Sequence, residues 1–283
     1  MLMRARRYDE AIKLLKTWLR EVETSSIRSE AARSDGLKRQ LAVTLVEAQR
    51  NDEAITALTQ WIDEADGAPV KFSYLSILSG CYQRRGQTQR VLEVLEQTYR
   101  LKGDLEVLEQ AYRLKGDRRA AGLTRDLIGI RNDFGYSLAD AGLRMEEAER
   151  MIRYALSHAP LNGAYLDSYG WVLYKQGAFA EAKEWLEKAV NTPGGDDPVV
   201  YDHLGDAHWR LGLEDAAERF WSTALERIAE QLEEEDRLDY IQIRANLQEK
   251  IKACESGESP QVAPLATEAD ERMQVESEER DSP

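Results

Sequence analysis

Residues 162–190 read NGAYLDSYGWVLYKQGAFAEAKEWLEKAV. Two blocks of apolar residues at helical spacing flank Gly177, and glycine favours the left-handed conformation in which helices commonly end. A second glycine, Gly170, lies inside the first block. There it costs roughly 0.5–1 kcal/mol relative to alanine, which is sensible only if the absent side chain admits a neighbouring helix. The second block opens on Glu181, favourable beside the positive end of a helix. It then sets Ala182 and Ala189 where two helices would cross, with the bulky Leu186 between them.

The pattern recurs on both sides. Residues 130–160 carry Gly135, Gly142, Glu146, Glu147, Ala148, Ile152 and Ala155 at the matching places. Residues 197–226 carry Gly205, Gly212, Glu214, Asp215, Ala217, Trp221 and Ala224. Gly135, Gly170 and Gly205 are spaced 35 residues apart. Pro160, Pro193 and Pro198 punctuate the units. Residues 72–100 keep the register through Leu75, Leu78, Tyr82, Gly86 and Leu95, with Val91 where the others have alanine. Residues 37–62 keep it more loosely, through Leu41, Ala42, Leu45, Ala54, Leu58 and Trp61.

Taken together, these residues resemble the tetratricopeptide repeat family in its bacterial form, whose period is about 34 residues. The resemblance covers residues 5–230 and is strongest over 128–226. It implies an all-α fold: a right-handed superhelical solenoid of helix-turn-helix repeats. The expected organisation is degenerate repeats over 1–127, three well-matched repeats over 128–226, a capping helix over 227–254 and a disordered acidic tail over 255–283. Residues 7–12 read as the second helix of a repeat whose first helix precedes this sequence. Residues 92–104 and 105–117 are a near-exact duplication, differing only at Thr98 and Ala111. The Lys-Gly-Asp between the two copies is expected to break the helix.

In this family partner peptides lie mainly on the first helices of the repeats. Carrying those positions over gives a groove with Tyr136, Trp171, Tyr174 and Trp209 set among Asp140, Asp167, Asp202 and Asp206. Aromatic side chains with a polar edge anchor partners at low entropic cost, and interleaved carboxylates favour a protein or peptide with basic and apolar residues. Against that stands a plainer reading, in which the aromatics are packing between repeats and the aspartates a solvated face. The carboxylate clamp of chaperone-tail receptors is excluded, because its Lys, Asn and Arg positions hold Asn132, Tyr136, Ser168, Val199 and His203.

Nothing in the sequence carries a catalytic constellation, and no cofactor or metal is expected. His158 and His203 read as surface polar residues, while His208 falls at a position that usually packs in the core; the last two are five apart, off the i,i+4 spacing of paired ligands. Asp202, His203 and Asp206 are close on one helix but too few for a metal. Phosphate-binding loops, nucleophile elbows and zinc-protease motifs are absent from the sequence. The glutamate pairs, Glu146–Glu147 and Glu233 to Glu235, are surface charge.

Composition narrows the partner class. The net charge is −14, and residues 255–283 hold nine Asp or Glu against two Arg. An acidic body lacks the basic stripe that nucleic acid requires. No apolar run approaches the ~20 residues of a membrane span. Cys81 and Cys254 are far apart in sequence and form neither a zinc motif nor a disulfide framework. The expected function is a protein-interaction scaffold in the cytoplasm, or in the periplasm or cell envelope if an export signal precedes residue 1. The alternative is a structural or regulatory repeat segment of a larger multidomain protein, one form of which is an enzyme whose catalytic domain lies outside this sequence.

Overall fold

The computed structural model describes residues 2–24, 31–115, 117, 119–232 and 238–266. Among them are thirteen α-helices and no strand. The chain divides into two compact units, residues 1–120 and 121–283, so the division falls before the 127/128 boundary that the repeats alone set.

The first unit holds α1 (Leu2–Glu23), α2 (Ala31–Glu47), α3 (Asn51–Glu64), α4 (Ala68–Arg84), α5 (Thr88–Arg100) and α6 (Lys102–Leu114). Each of these helices packs on the next along the chain. Ile12, Leu15 and Leu19 of α1, spaced at helical period, bury against Leu41 and Leu45 of α2 and Leu58 and Trp61 of α3. The duplicated segment breaks at Leu101, and Lys102 and Gly103 begin α6 instead of forming the break.

The second unit stacks three helical hairpins and one further helix. They are α7 (Arg119–Asp140) with α8 (Met145–His158), α9 (Gly163–Lys175) with α10 (Phe179–Val190), α11 (Pro198–Arg210) with α12 (Glu214–Leu232), and then α13 (Leu238–Glu255). The stretch expected to be one capping helix is thus divided between the end of α12 and α13. Asn162 and Asp197 cap α9 and α11, their side chains accepting the backbone N–H of Tyr165 and Val199.

The small residues sit where helices cross. Ala148, Ala182, Ala217, Ala155, Ala189 and Ala224 are fully buried, as are Ile152, Leu186 and Trp221 between them. A Cβ on Gly135 would come 2.9 Å from Ile152, and one on Gly170 would come 2.7 Å from Leu186. The hairpin turns share one cap. Gly142, Gly177 and Gly212 have φ of 72°, 82° and 72°, and the residue after each donates back across the turn, Leu143 to Leu138, Ala178 to Leu173 and Leu213 to His208. Gly257 ends α13 in the same way, with φ 70° and Glu258 donating to Ala253. α13 therefore ends as the first helix of a repeat does.

Candidate functional site

The first helices α7, α9 and α11 of the second unit are laced together at the repeat period. The indole N–H of Trp171 donates to Asp140 Oδ1 at 3.1 Å, and Lys175 Nζ donates to the Asp140 carbonyl at 3.0 Å. One repeat on, His203 Nδ1 lies 2.8 Å from Asp167 Oδ1, and Arg210 Nε donates to the Tyr174 hydroxyl at 3.2 Å. Trp171 stacks on both Tyr174 (4.7 Å, 7° between planes) and His203 (3.7 Å, 15°). Tyr136 lies 6.1 Å from the His203 ring. Burial pulls the His203 pKa down, but the charge of Asp167 beside it, reinforced by Asp202 and Asp140, prevails and raises it.

The structure thus brings the sequence-predicted residues onto one face, but most are already engaged. Asp167, Trp171, Tyr174 and Asp206 are buried, while Tyr136, Asp202 and Trp209 are partly so. Trp209 packs against the buried cluster around Trp221, the two ring centroids 6.1 Å apart. The reading of His203 as a surface residue is corrected, whereas His208 lies in the core as its repeat position implies. Both are buried, the first held by Asp167 and the second by the Leu204 carbonyl at 2.8 Å. His158 alone of the three is exposed.

Two parts of the chain that the groove pattern did not anticipate lie on this face. From α13, Lys250 Nζ reaches Asp202 Oδ1 at 2.7 Å and Asp206 Oδ1 at 2.5 Å. Burial disfavours the ammonium, yet the two carboxylates outweigh it and raise the Lys250 pKa. Asp206 also accepts the Trp221 indole N–H at 3.0 Å. Beyond the Gly257 cap, residues 258–266 run without helical or strand pairing until Ala266. There the Ala263 N–H donates to Asp206 Oδ2 at 2.9 Å, and the Ala263 carbonyl accepts from Tyr174 Oη at 2.8 Å and Arg210 Nη2 at 3.0 Å. A disordered tail beginning at residue 255 therefore does not describe residues 255–266, which end α13 at the Gly257 cap and then hold the main chain of Ala263 against Asp206, Tyr174 and Arg210. Residues 267–283 lie outside the described residues, as do Glu233 to Glu235.

One polar atom on this face is left over. Asn132 is buried and its Oδ1 has no hydrogen-bond partner. Asn132, Asp167 and Asp202 occupy one register position in successive repeats. Asp167 is satisfied by His203, whose own equivalent one repeat earlier is Ser168. The Ser168 hydroxyl turns back to the Ala164 carbonyl, too short to serve Asn132. A buried orphan acceptor costs about 1–3 kcal/mol.

The other candidates are weaker. Among the described residues, no group of three or more His, Cys, Asp or Glu is placed to hold a metal, because His203 turns to Asp167 while Asp202 and Asp206 turn to Lys250. Nor is any helix there long and apolar enough to cross a membrane. Cys81 and Cys254 are free thiols, and burial pushes Cys81 up to about 11. In the first unit a recess of about 290 Å³ lies between α1, α2 and α3, floored by Leu19, Leu41, Leu45 and Trp61 and crossed by the Lys16–Glu53 ion pair.

Comparison with known proteins meets the same register. Residues 132–198 match the family model of the tetratricopeptide repeat. The chain carries tetratricopeptide repeats. A TPR repeat-containing protein of Pseudomonas aeruginosa, PA4667, is 40% identical over 75 residues, which are 26% of this chain and 12% of that one. The human aspartyl/asparaginyl beta-hydroxylase is 33% identical over 89 residues, 31% of this chain and 12% of the hydroxylase. The match with these curated relatives thus spans about an eighth of their length. Among solved structures, BtubC from P. vanneervenii superposes with a TM-score of 0.53 at 14% identity, covering 80% of this chain and 92% of its own. That likeness is one of fold. The residues that match the family model run from within α7 through α8, α9 and α10 to the first residue of α11.

Proposed function

We propose that this protein is an interaction scaffold whose second unit receives an extended peptide on the face of α7, α9 and α11. The observation that carries this reading is the treatment of Ala263. Asp206, Tyr174 and Arg210, from two successive first helices, hold both the N–H and the C=O of one residue of extended chain. Such contacts recognise main chain and leave side-chain identity to the neighbouring pockets.

A basic ligand, expected from the aspartates, has less support. Lys250 already neutralises Asp202 and Asp206, and Asp167 faces His203. The reading is tested by selecting displayed random peptides against the full chain carrying Val262→Asp, in which a charge at the apolar anchor keeps residues 258–266 from competing, and measuring the enriched ones against that chain with Arg210→Ala or Tyr174→Phe added. Groove binding predicts a loss of roughly tenfold for each, the value of one or two main-chain hydrogen bonds, with unchanged circular dichroism. Enriched peptides indifferent to both substitutions would place the binding surface elsewhere.

A further inference from the structure

We propose that residues 258–266 are a displaceable internal ligand, and that the external ligand is an extended, uncharged, proline-containing peptide competing for the same contacts. The proposal rests on the peptide-scaffold reading above and deepens it by naming the ligand class and the regulation.

The way the segment is held supports this. The bonds to Ala263 come from Asp206, Tyr174 and Arg210 and go to main-chain atoms; its side chain is one methyl group. Any small residue in extended conformation fits there, with the single exception of proline, which lacks the N–H that Asp206 accepts. Pro264 restricts Ala263 to extended backbone, and Pro260 does the same for Ser259, so the segment is preorganised for a groove and unsuited to helix. Val262 packs against the cluster of Trp221, Tyr240 and Leu247, and Pro260 and Ala266 are buried. Side-chain recognition is thus apolar at both flanks of a main-chain clamp.

Charge points the same way. Residues 259–266, SPQVAPLA, carry none, and they lie where Lys250 has cancelled Asp202 and Asp206. α13 and the segment after it act together, the helix removing the groove's charge and the extended chain filling it. A ligand rich in Lys or Arg would have to displace Lys250 first. One matching the segment need displace only the segment.

Tethering sets the size of the effect. Gly257 turns the chain directly from α13 into the groove, a short connection for which effective concentrations are of millimolar order. An internal ligand with an intrinsic Kd of ~100 μM would then be about nine-tenths bound, and an external competitor would bind about tenfold more weakly than to an open groove.

The test uses the full chain and a fluorescein-labelled synthetic peptide spanning residues 256–268, with affinity read by anisotropy. Ala263→Pro in the chain removes the donor to Asp206 and releases the segment. Val262→Asp releases it through the apolar anchor instead, without touching the groove. Either variant should bind the labelled peptide about tenfold more tightly than the wild-type chain, and a peptide carrying Ala263→Pro should bind none of them. If both variants keep their helical circular dichroism and neither gains affinity, the segment is a permanent packing element and the proposal fails. If peptides from the display selection bind in an Arg210-dependent way while the 256–268 peptide does not compete with them, the scaffold reading stands and the internal-ligand proposal alone is overturned. If either variant unfolds, the segment is part of the core, which also overturns it.

Discussion

Gly205→Ala puts the packing logic of the repeats to its sharpest test. In an unconstrained helix the change would stabilise by roughly 0.5–1 kcal/mol, through helix propensity and a stiffer unfolded chain. Here the added Cβ would lie 2.4 Å from both Cδ1 and Nε1 of Trp221 and 3.0 Å from its Cε2. The ring has nowhere to go. It is fully buried, its N–H is committed to Asp206, and Lys250 lies 5.4 Å above its centroid. Overpacking of this kind costs about 1–3 kcal/mol, and tipping the indole off its buried acceptor adds about 1–3 kcal/mol. The net expectation is a destabilisation of about 2–4 kcal/mol, which lowers the melting temperature of a unit this size by roughly 5–12 °C. Gly80→Ala in α4 is the internal control: a Cβ there meets nothing within 4 Å, so it should stabilise by about 0.5–1 kcal/mol. Thermal and urea denaturation followed by circular dichroism separates the two. A double-mutant cycle with Trp221→Leu then assigns the cause, because Gly205→Ala should become neutral or stabilising once the ring is gone. If Gly205→Ala stabilises as Gly80→Ala does, or the cycle shows no coupling, mid-helix glycine has some role other than admitting the second helix.

Three further outcomes are expected. The His203–Asp167 pair stabilises the fold fully below the unfolded imidazole value of 6.5 and less as pH rises through the folded value, which is higher. The gap in melting temperature between wild type and His203→Gln should therefore narrow from pH 5.5 to 8.5, and a constant gap would refute the pairing. Trp171→Ala should cost about 3–5 kcal/mol, since the ring is 3% exposed and stacked on Tyr174 and His203. An unchanged melting curve would show that the indole is dispensable to the core. Gln49 takes the left-handed cap position at the end of α2, with φ 61°, at a cost for a non-glycine residue of about 1–2 kcal/mol. Gln49→Gly should raise the stability by about 0.5–1 kcal/mol, and a lowered denaturation midpoint would contradict the cap assignment.

The hairpins are legible in the sequence because every signal that makes them is local or recurs at the period. Gly142, Gly177 and Gly212 cap helices a few residues away, and Ala148, Ala182 and Ala217 repeat at positions that a single unit already explains. Some of the site is legible by the same period. His203 lies 36 residues from Asp167, Arg210 lies 36 from Tyr174, and Lys175 lies 35 from Asp140. Residues separated by one period or one period plus one face each other across stacked first helices. That rule places His203 in the interior, where composition alone puts a histidine at the surface. Lys250 obeys no such rule, standing 44 and 48 residues from its two carboxylates. Ala263 lies 53, 57 and 89 residues from its three partners, in a stretch whose prolines and lack of periodicity read as tail.

The duplicated segment shows why a repeat's own residues do not settle what its faces do. Val94 and Val107 occupy the same place in two near-identical copies, yet Val94 is 5% exposed and Val107 is 70% exposed. Leu92 and Leu105 are both buried, so each copy still folds as an amphipathic helix. The neighbours differ: α5 packs on α4 along its length, whereas α6 is a second copy added where that position is already filled. The same reasoning governs the face of α9 and α11. Asp167 is met by His203 within the repeats, but Asp202 and Asp206 find their cation in Lys250 of α13, and Ala263 gives Asp206, Tyr174 and Arg210 a main-chain partner. On this face the chain packed beyond the last hairpin thus fixes which groups are already engaged, through one lysine and one stretch of main chain.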